Sequence, residues 1–324
     1  MPTLPCGVSV VIPALNEEKN IGALLDSLAA QSKPPDEVIV VDAGSKDATR
    51  EEARARAQAF PRFQIVELSA AFPGEARNEG AAVASREWIL FIDCGMQMEP
   101  DCVATLTRQA EDSGAAAVFG RIVPKTAGLF TECAAAAYLP PLSLRGQLVL
   151  RPTVPMLLIR RETFARMKGF PEHLRSAEDL VFLEELEALG VLTSFAPTAV
   201  AHWQLAPNIR ATFRRFRTYS LSNIRAGLVR QWHLRIWIYY GLILSASTLA
   251  IFLTGKLWIP ALAIAMLLSV RSVKALWQHR ENLTGGLIRY ALRFLGVATI
   301  LALVDMATLA GTFDFVRRKR VPSF

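Results

Sequence analysis

Residues 8–12 read VSVVI, β-branched at four of five positions, which predicts a buried strand. Ile21, Leu24, Leu25 and Leu28 follow at the i, i+3, i+4, i+7 spacing of one helix face. Residues 38–41 form a second apolar run. Residues 47–59 are helical in composition, 64–68 make a short strand, 76–85 a helix and 88–92 a strand. Apolar strands that alternate with helices imply a largely parallel sheet covered on both faces. Ligands of such sheets bind at the carboxyl ends of the strands, so polar residues just after each run are the candidates for chemistry.

The pattern changes after residue 209. Residues 236–253 carry no charge, 257–270 are again uncharged, and 294–313 contain a single acid, Asp305. A spanning helix needs about 20 apolar residues. The first and third runs reach that length, and the second does so only by continuing past Arg271. Residues 236–270 are too long for one span, which predicts a hairpin turning near Thr254, Gly255 and Lys256. A carboxylate midway along an apolar run is costly, so Asp305 is expected to face protein, water or the interface, or to be protonated.

These runs explain why 52% of the chain is hydrophobic and only 20% charged. The net charge of +7 lies mostly in the second half. Seven arginines and no acid occupy residues 209–235, directly before an apolar run. This reads as a juxtamembrane segment held to anionic lipid rather than as a nucleic-acid site. The positive-inside rule puts that stretch, and the later loop with Arg271, Lys274, Arg280, Arg289 and Arg293, on the cytoplasmic side. The tail Arg317, Arg318, Lys319 and Arg320 conflicts with a third full span. Cys6, Cys94, Cys102 and Cys133 show neither metal-ligand spacing nor a disulfide framework, and residues 1–7 do not read as a signal peptide. The expectation is a cytoplasmic domain over 1–208, a basic interfacial segment over 209–235, and a membrane part of two to three helices over 236–324.

Polar clusters follow the strand-like runs. They are Pro13 to Glu17 with Asn16, Asp42 to Asp47 with Ser45, and Asp93 to Gln97; Arg77 and Asn78 lie between the last two. Glu178 and Asp179 precede an apolar helix at 180–189. Each cluster alone also reads as a helix cap or a turn. Together, VSVVIPALNEE, VIVVDAGSKDAT, ARNEG and FIDCG resemble, in order and spacing, the family-2 glycosyltransferases, over about residues 7–205. The resemblance implies a GT-A fold, an α/β, Rossmann-like and mostly parallel catalytic domain, here followed by C-terminal transmembrane helices. It implies a multi-pass inner- or plasma-membrane enzyme that transfers a sugar with inversion from a nucleotide-sugar donor, UDP-linked by expectation. The acceptor is a hydroxyl of a lipid-linked or cell-envelope glycan. A polyprenyl-phosphate sugar transferase and a non-catalytic nucleotide-sugar-binding protein are the alternatives.

The same resemblance assigns Pro13, Asn16, Glu17, Asp42, Ser45, Arg77, Asn78 and Asp93 to the nucleotide sugar. Asp42 would meet the base edge, Glu17 or Asp93 the ribose, and Arg77 the diphosphate. Asp179, with Glu178, would take the proton of the acceptor hydroxyl. Asp93, Gln97 and His202 would hold magnesium or manganese, although Gly95 stands where many relatives carry a second acid. Arg214 and Arg217 loosely match an element of membrane-bound relatives on the acceptor or diphosphate side.

Overall fold

The computed structural model describes residues 7–144 and 147–319. In chain order the elements are β1 (Val8–Ala14), α1 (Ile21–Ala29), β2 (Glu37–Asp42), α2 (Thr49–Arg54), β3 (Phe63–Glu67), α3 (Pro73–Val83), β4 (Trp88–Phe91), β5 (Met96–Met98), α4 (Cys102–Ser113), β6 (Ala117–Lys125), α5 (Leu129–Tyr138), β7 (Ser143–Leu144) and β8 (Gln147–Leu148). The chain continues through β9 (Leu157–Arg160), α6 (Arg161–Ala165), α7 (Glu178–Ala188), β10 (Thr193–Gln204), α8 (Ile209–Arg225), α9 (Val229–Trp232), α10 (Leu234–Thr254), α11 (Ile259–Gln278) and α12 (Leu287–Lys319). It divides into two units. One runs up to Lys125 and resumes over Leu150–Gln204; the other comprises Thr126–Val149 and the chain from Leu205 onward. Cys6 and Arg320 lie outside the described residues, as do the side chains of Arg318 and Lys319.

The first unit is built on an eight-stranded sheet of order β3-β2-β1-β4-β9-β6-β10-β5. The strands expected from apolar runs form its parallel half: β3 pairs with β2, β2 with β1 and β1 with β4, all parallel. The other half is mixed. β9 runs antiparallel to both β4 and β6, and β5 antiparallel to β10. Side-chain alternation splits the core into two layers. Val8, Val10 and Ile12 join α1 and α4 on one face, while Val11, Ile39, Val41 and Phe91 join α3 and α7 on the other. Burial on both faces is why these strands read as unbroken apolar runs.

The second unit is helical. The hairpin expected at residues 254–256 is present: α10 ends on Gly255, whose φ of +66° closes the helix in the left-handed region. α11 does continue past Arg271, to Gln278, and α12 is one 33-residue helix, longer than the apolar run inside it. Three segments, Leu234–Thr254, Ile259–Gln278 and Leu287–Arg317, are long and apolar enough to cross a membrane. α12 buries Val297, Ile300 and Ala307, whereas α10 and α11 leave Leu242, Leu244, Phe252 and Leu262 exposed. Thr126–Val149 belongs to this unit because α5 is tied to α12. Glu132 accepts from Arg289 at 2.6 Å and from the buried Arg293 at 2.7 and 2.9 Å. A Cβ on Gly296 would lie 2.6 Å from Cys133 Sγ, so only glycine permits that approach. Asp305 is 1% exposed and faces protein: Arg271 of α11 pairs with it, and the Tyr240 hydroxyl of α10 donates to it at 2.8 Å.

Candidate active site

The loops that leave the carboxyl ends of β1 and β2 are stitched to each other. Asn16 adopts φ +55°, where a short polar side chain is tolerated. Its backbone N–H donates to Ser45 Oγ at 2.8 Å, and its Oδ1 accepts from the Lys46 N–H at 2.9 Å. Glu17 N–H donates to Thr49 Oγ1 at 2.7 Å, and Glu18 N–H to Asp47 Oδ2 at 3.2 Å. Asp42 and Ser45 are buried, while Pro13 is half-buried beside Val41. Asp42, expected on a base edge, accepts here from the Ser45 N–H at 3.2 and 3.4 Å, with Arg50 Nε at 3.8 Å. Its carboxylate shapes the loop, because a buried charge at a strand end must be satisfied locally. Gly44, at φ +89°, allows the turn to lie on Ser69, whose carbonyl oxygen would be 2.3 Å from an added Cβ.

A second group gathers around Arg77 of α3. Its guanidinium is 3% exposed and spans two carboxylates, donating to Glu178 Oε1 at 2.6 Å and to Asp93 Oδ1 at 2.7 Å. The arginine also lies 5.4 Å over the Phe170 ring, which stacks on Phe182 at 4.2 Å. The two neighbouring acids hold its pKa above the ordinary arginine value against the cost of burial. Arg77, expected on a diphosphate, has its charge balanced here by Asp93 and Glu178, which it positions. Asn78, expected on the nucleotide sugar, is tied to the loop before α7. Its amide donates to Phe170 O at 2.9 Å and to Glu172 at 3.0 Å and accepts from the Phe170 N–H at 2.9 Å, which fastens α3 to the loop before α7.

Glu178 and Asp179 open α7 after Ala177, whose φ of +71° turns the chain into the helix. Burial, and then the neighbouring Glu178, push the Asp179 carboxyl up to about 6, with Arg77 acting in the opposite direction. Asp93 also acts on Asp179, and both Glu17 and Asp93 act on the half-buried Cys94 thiol, whose pKa is raised by desolvation first. Glu17, Asp93, Glu178 and Asp179 therefore share one electrostatic neighbourhood. Glu178 Oε2 is buried with no hydrogen-bond partner among the described residues.

The sheet edge beside β5 brings Gln97, Lys125, His202 and Glu99 together. His202 Nε2 lies 3.0 Å from Glu99 Oε1, and Lys125 Nζ donates to Gln97 Oε1. The residues expected to hold a metal do not make up a divalent site in this arrangement. Asp93 is paired with Arg77, Gln97 with an ammonium and His202 with a carboxylate. No three His, Cys, Asp or Glu side chains cluster suitably among the described residues. Gly95 has φ +82°, so the turn itself selects glycine where an acid was sought. In the second unit Arg217 makes a two-pronged ion pair with Asp314, at 2.6 and 2.8 Å, and Arg214 lies on the same helix, α8.

Sequence reasoning missed Lys125, Glu99, Phe170 and Phe182, which meet the site only through sheet order and packing. Cys94 lies within the cluster after β4 but drew no role there.

A mixed α/β sheet with an acid-and-arginine cluster following its central strands is the plan of a GT-A-like glycosyltransferase domain. Residues 9–156 match the family described as glycosyl transferase family 2, and the chain carries a domain of that family. The chain is 26% identical over 187 residues to a poly(ribitol-phosphate) beta-glucosyltransferase of Bacillus spizizenii, a match covering 54% of this chain and 28% of that one. Against the glycosyltransferase AglE of Haloferax volcanii it is 24% identical over 303 residues, covering 90% of this chain and 98% of the other. Among solved structures, the mannosyltransferase PcManGT of Pyrobaculum calidifontis, in complex with GDP-Man and Mn2+, aligns with a TM-score of 0.58. It has 20% identity, over 98% of this chain and 89% of that one.

Proposed function

We propose that this chain is a membrane-anchored, inverting glycosyltransferase that moves a sugar from a nucleotide-sugar donor, UDP-linked, to a hydroxyl of a lipid-linked or cell-envelope glycan. The observation that carries this reading is the Arg77 bridge, which draws Asp93 and Glu178 together beside a desolvated Asp179. A sugar hydroxyl is a poor nucleophile until its proton leaves. A carboxylate with its pKa raised toward neutrality accepts that proton better than an ordinary one. Asp179 is that base. Glu178, with one oxygen fixed by Arg77 and the other unpartnered, accepts from a second hydroxyl of the acceptor and orients it. The stitched loops of Asn16, Glu17 and Ser45 hold the nucleotide, and their cross-links remove the entropy cost of ordering them on binding.

The relatives support the class. One is a beta-glucosyltransferase of a poly(ribitol-phosphate), and the solved neighbour holds a nucleotide sugar. The first relative is much longer than the matched region, so its acceptor is a guide to chemistry only. Membrane anchoring rests on α10 and α11, whose exposed leucines and Phe252 form an apolar surface that water would not tolerate. In this reading Arg214 and Arg217 of α8 serve acceptor or lipid-head contact, and the amino-terminal domain works in the cytoplasm.

The test is a panel of nucleotide sugars and acceptors offered to the full chain in detergent, with released UDP and GDP as the readout. Transfer that is lost in Asp179→Asn supports the proposal. Transfer to polyprenyl phosphate that survives Asp179→Asn would replace it, because an ionised phosphate needs no base. Nucleotide binding without turnover of any donor would reduce the chain to a binding protein.

A further inference from the structure

Gln97, His202 and Lys125 share one face of the sheet by register. β10 lies between β5 and β6; His202 pairs with Gln97 on one side, and Gln204 pairs with Lys125 on the other. Directly paired residues share a face, and so do residues two apart on a strand. The Lys125 side chain therefore crosses over β10 and sets its ammonium on the Gln97 amide oxygen. That oxygen is one of the donors on which a divalent ion was expected. A second cation there would face a like charge at contact distance, and the turn at Gly95, φ +82°, supplies no acid to offset it.

We propose that Lys125 supplies the positive charge that a nucleoside diphosphate requires beside Gln97, in place of a divalent cation. The proposal rests on the nucleotide-sugar reading above. An ammonium has three N–H donors. Gln97 holds one and thereby aims the group, and two remain for phosphate oxygens. A preorganised cation of this kind stabilises the charge that gathers on the leaving diphosphate as the sugar bond breaks. Lys125 is half-buried, so it makes this contact with less water to compete than a surface lysine meets.

Calorimetric titration of the full chain in detergent with UDP, UMP, GDP and GMP, in excess EDTA and again with manganese, tests this. Wild type is expected to prefer the diphosphate over the matching monophosphate equally in both buffers. Lys125→Ala should weaken diphosphate binding about ten- to a hundredfold, the size of one charge-assisted hydrogen bond, and leave monophosphate binding nearly unchanged. Unchanged monophosphate binding also shows that the variant is folded, and Lys125→Arg should keep most of the preference. A preference that appears only with manganese, or one that Lys125→Ala retains, overturns the proposal while leaving the nucleotide reading standing. Absence of binding by all four nucleotides overturns both.

Discussion

Asp179 ionises near 6 because burial and Glu178 oppose its charge. As a base it must be ionised, so kcat/KM should rise with pH up to about 6 and flatten above it. Asp179→Asn should cost about a hundred- to ten-thousandfold in kcat and remove that acid limb. Stability moves the opposite way. The unfolded carboxyl loses its proton near 3.8 and the folded one near 6, so the folded state holds the proton more tightly between these values. The contribution of this carboxyl to stability is fully present below 3.8, falls as pH rises, and is lost above 6. Asp179→Asn should therefore raise the thermal midpoint at neutral pH, measured by scanning fluorimetry in detergent. At Gly95 the constraint is conformational. A Cβ would meet nothing nearer than Asn20 Nδ2 at 4.0 Å, yet φ is +82°. Gly95→Ala should destabilise by about 1–2 kcal/mol from backbone strain alone. Gly95→Asp should lose stability in the same way, which denaturant titration of the two variants side by side would show.

At the scale of elements, Arg77 is the joint between α3, the turn after β4 and the start of α7. Removing it strands two carboxylates, one of them almost fully buried. Arg77→Met should destabilise by about 3–5 kcal/mol. Because Arg77 holds Asp179 down, the acid limb of any remaining activity should move to higher pH. Arg77→Met combined with Glu178→Gln should recover part of the stability without restoring the profile; urea unfolding and the pH profile together distinguish the two effects. The elements themselves were unevenly legible. β1, β2, β4 and α1 stand out because each carries a run of largely apolar residues or apolar residues at strict helical spacing. β6 is interrupted by Gly120 and Pro124, and β9 is four residues running straight into α6, so neither announces itself. The acids were legible because they follow strands. What each side chain touches was not: the partners of Arg77 lie 16 and 101 residues away, and Gln97 meets Lys125 only because β10 lies between β5 and β6. The attachment of α5 to α12 was equally hidden, since its alanines carry no pattern and its one directing residue is Glu132.

At the scale of the whole molecule, the helical unit must hold three long apolar helices in one register with little else to specify it. Leucine against leucine, or leucine against lipid, discriminates poorly, whereas a buried ion pair has few satisfied arrangements. Asp305 on α12 meets Arg271 on α11 and Tyr240 on α10, so one carboxylate fixes all three helices relative to each other. The arrangement also answers the cost of an acid within the apolar run, because Asp305 is enclosed by protein. Three variants separate registry from simple adhesion. Asp305→Leu leaves Arg271 unpaired and Arg271→Met leaves Asp305 unpaired, and each should lower the thermal midpoint in detergent, at a cost of roughly 3–5 kcal/mol. The double variant should recover most of that loss, since an apolar pair of similar volume removes both uncompensated charges. If registry is the purpose of the network, the recovered protein should still unfold over a broader range than wild type, as helices free to slide adopt several packings. Additive losses in the double variant would instead mean that Asp305 and Arg271 serve separate partners, and the three-helix lock would have to be abandoned.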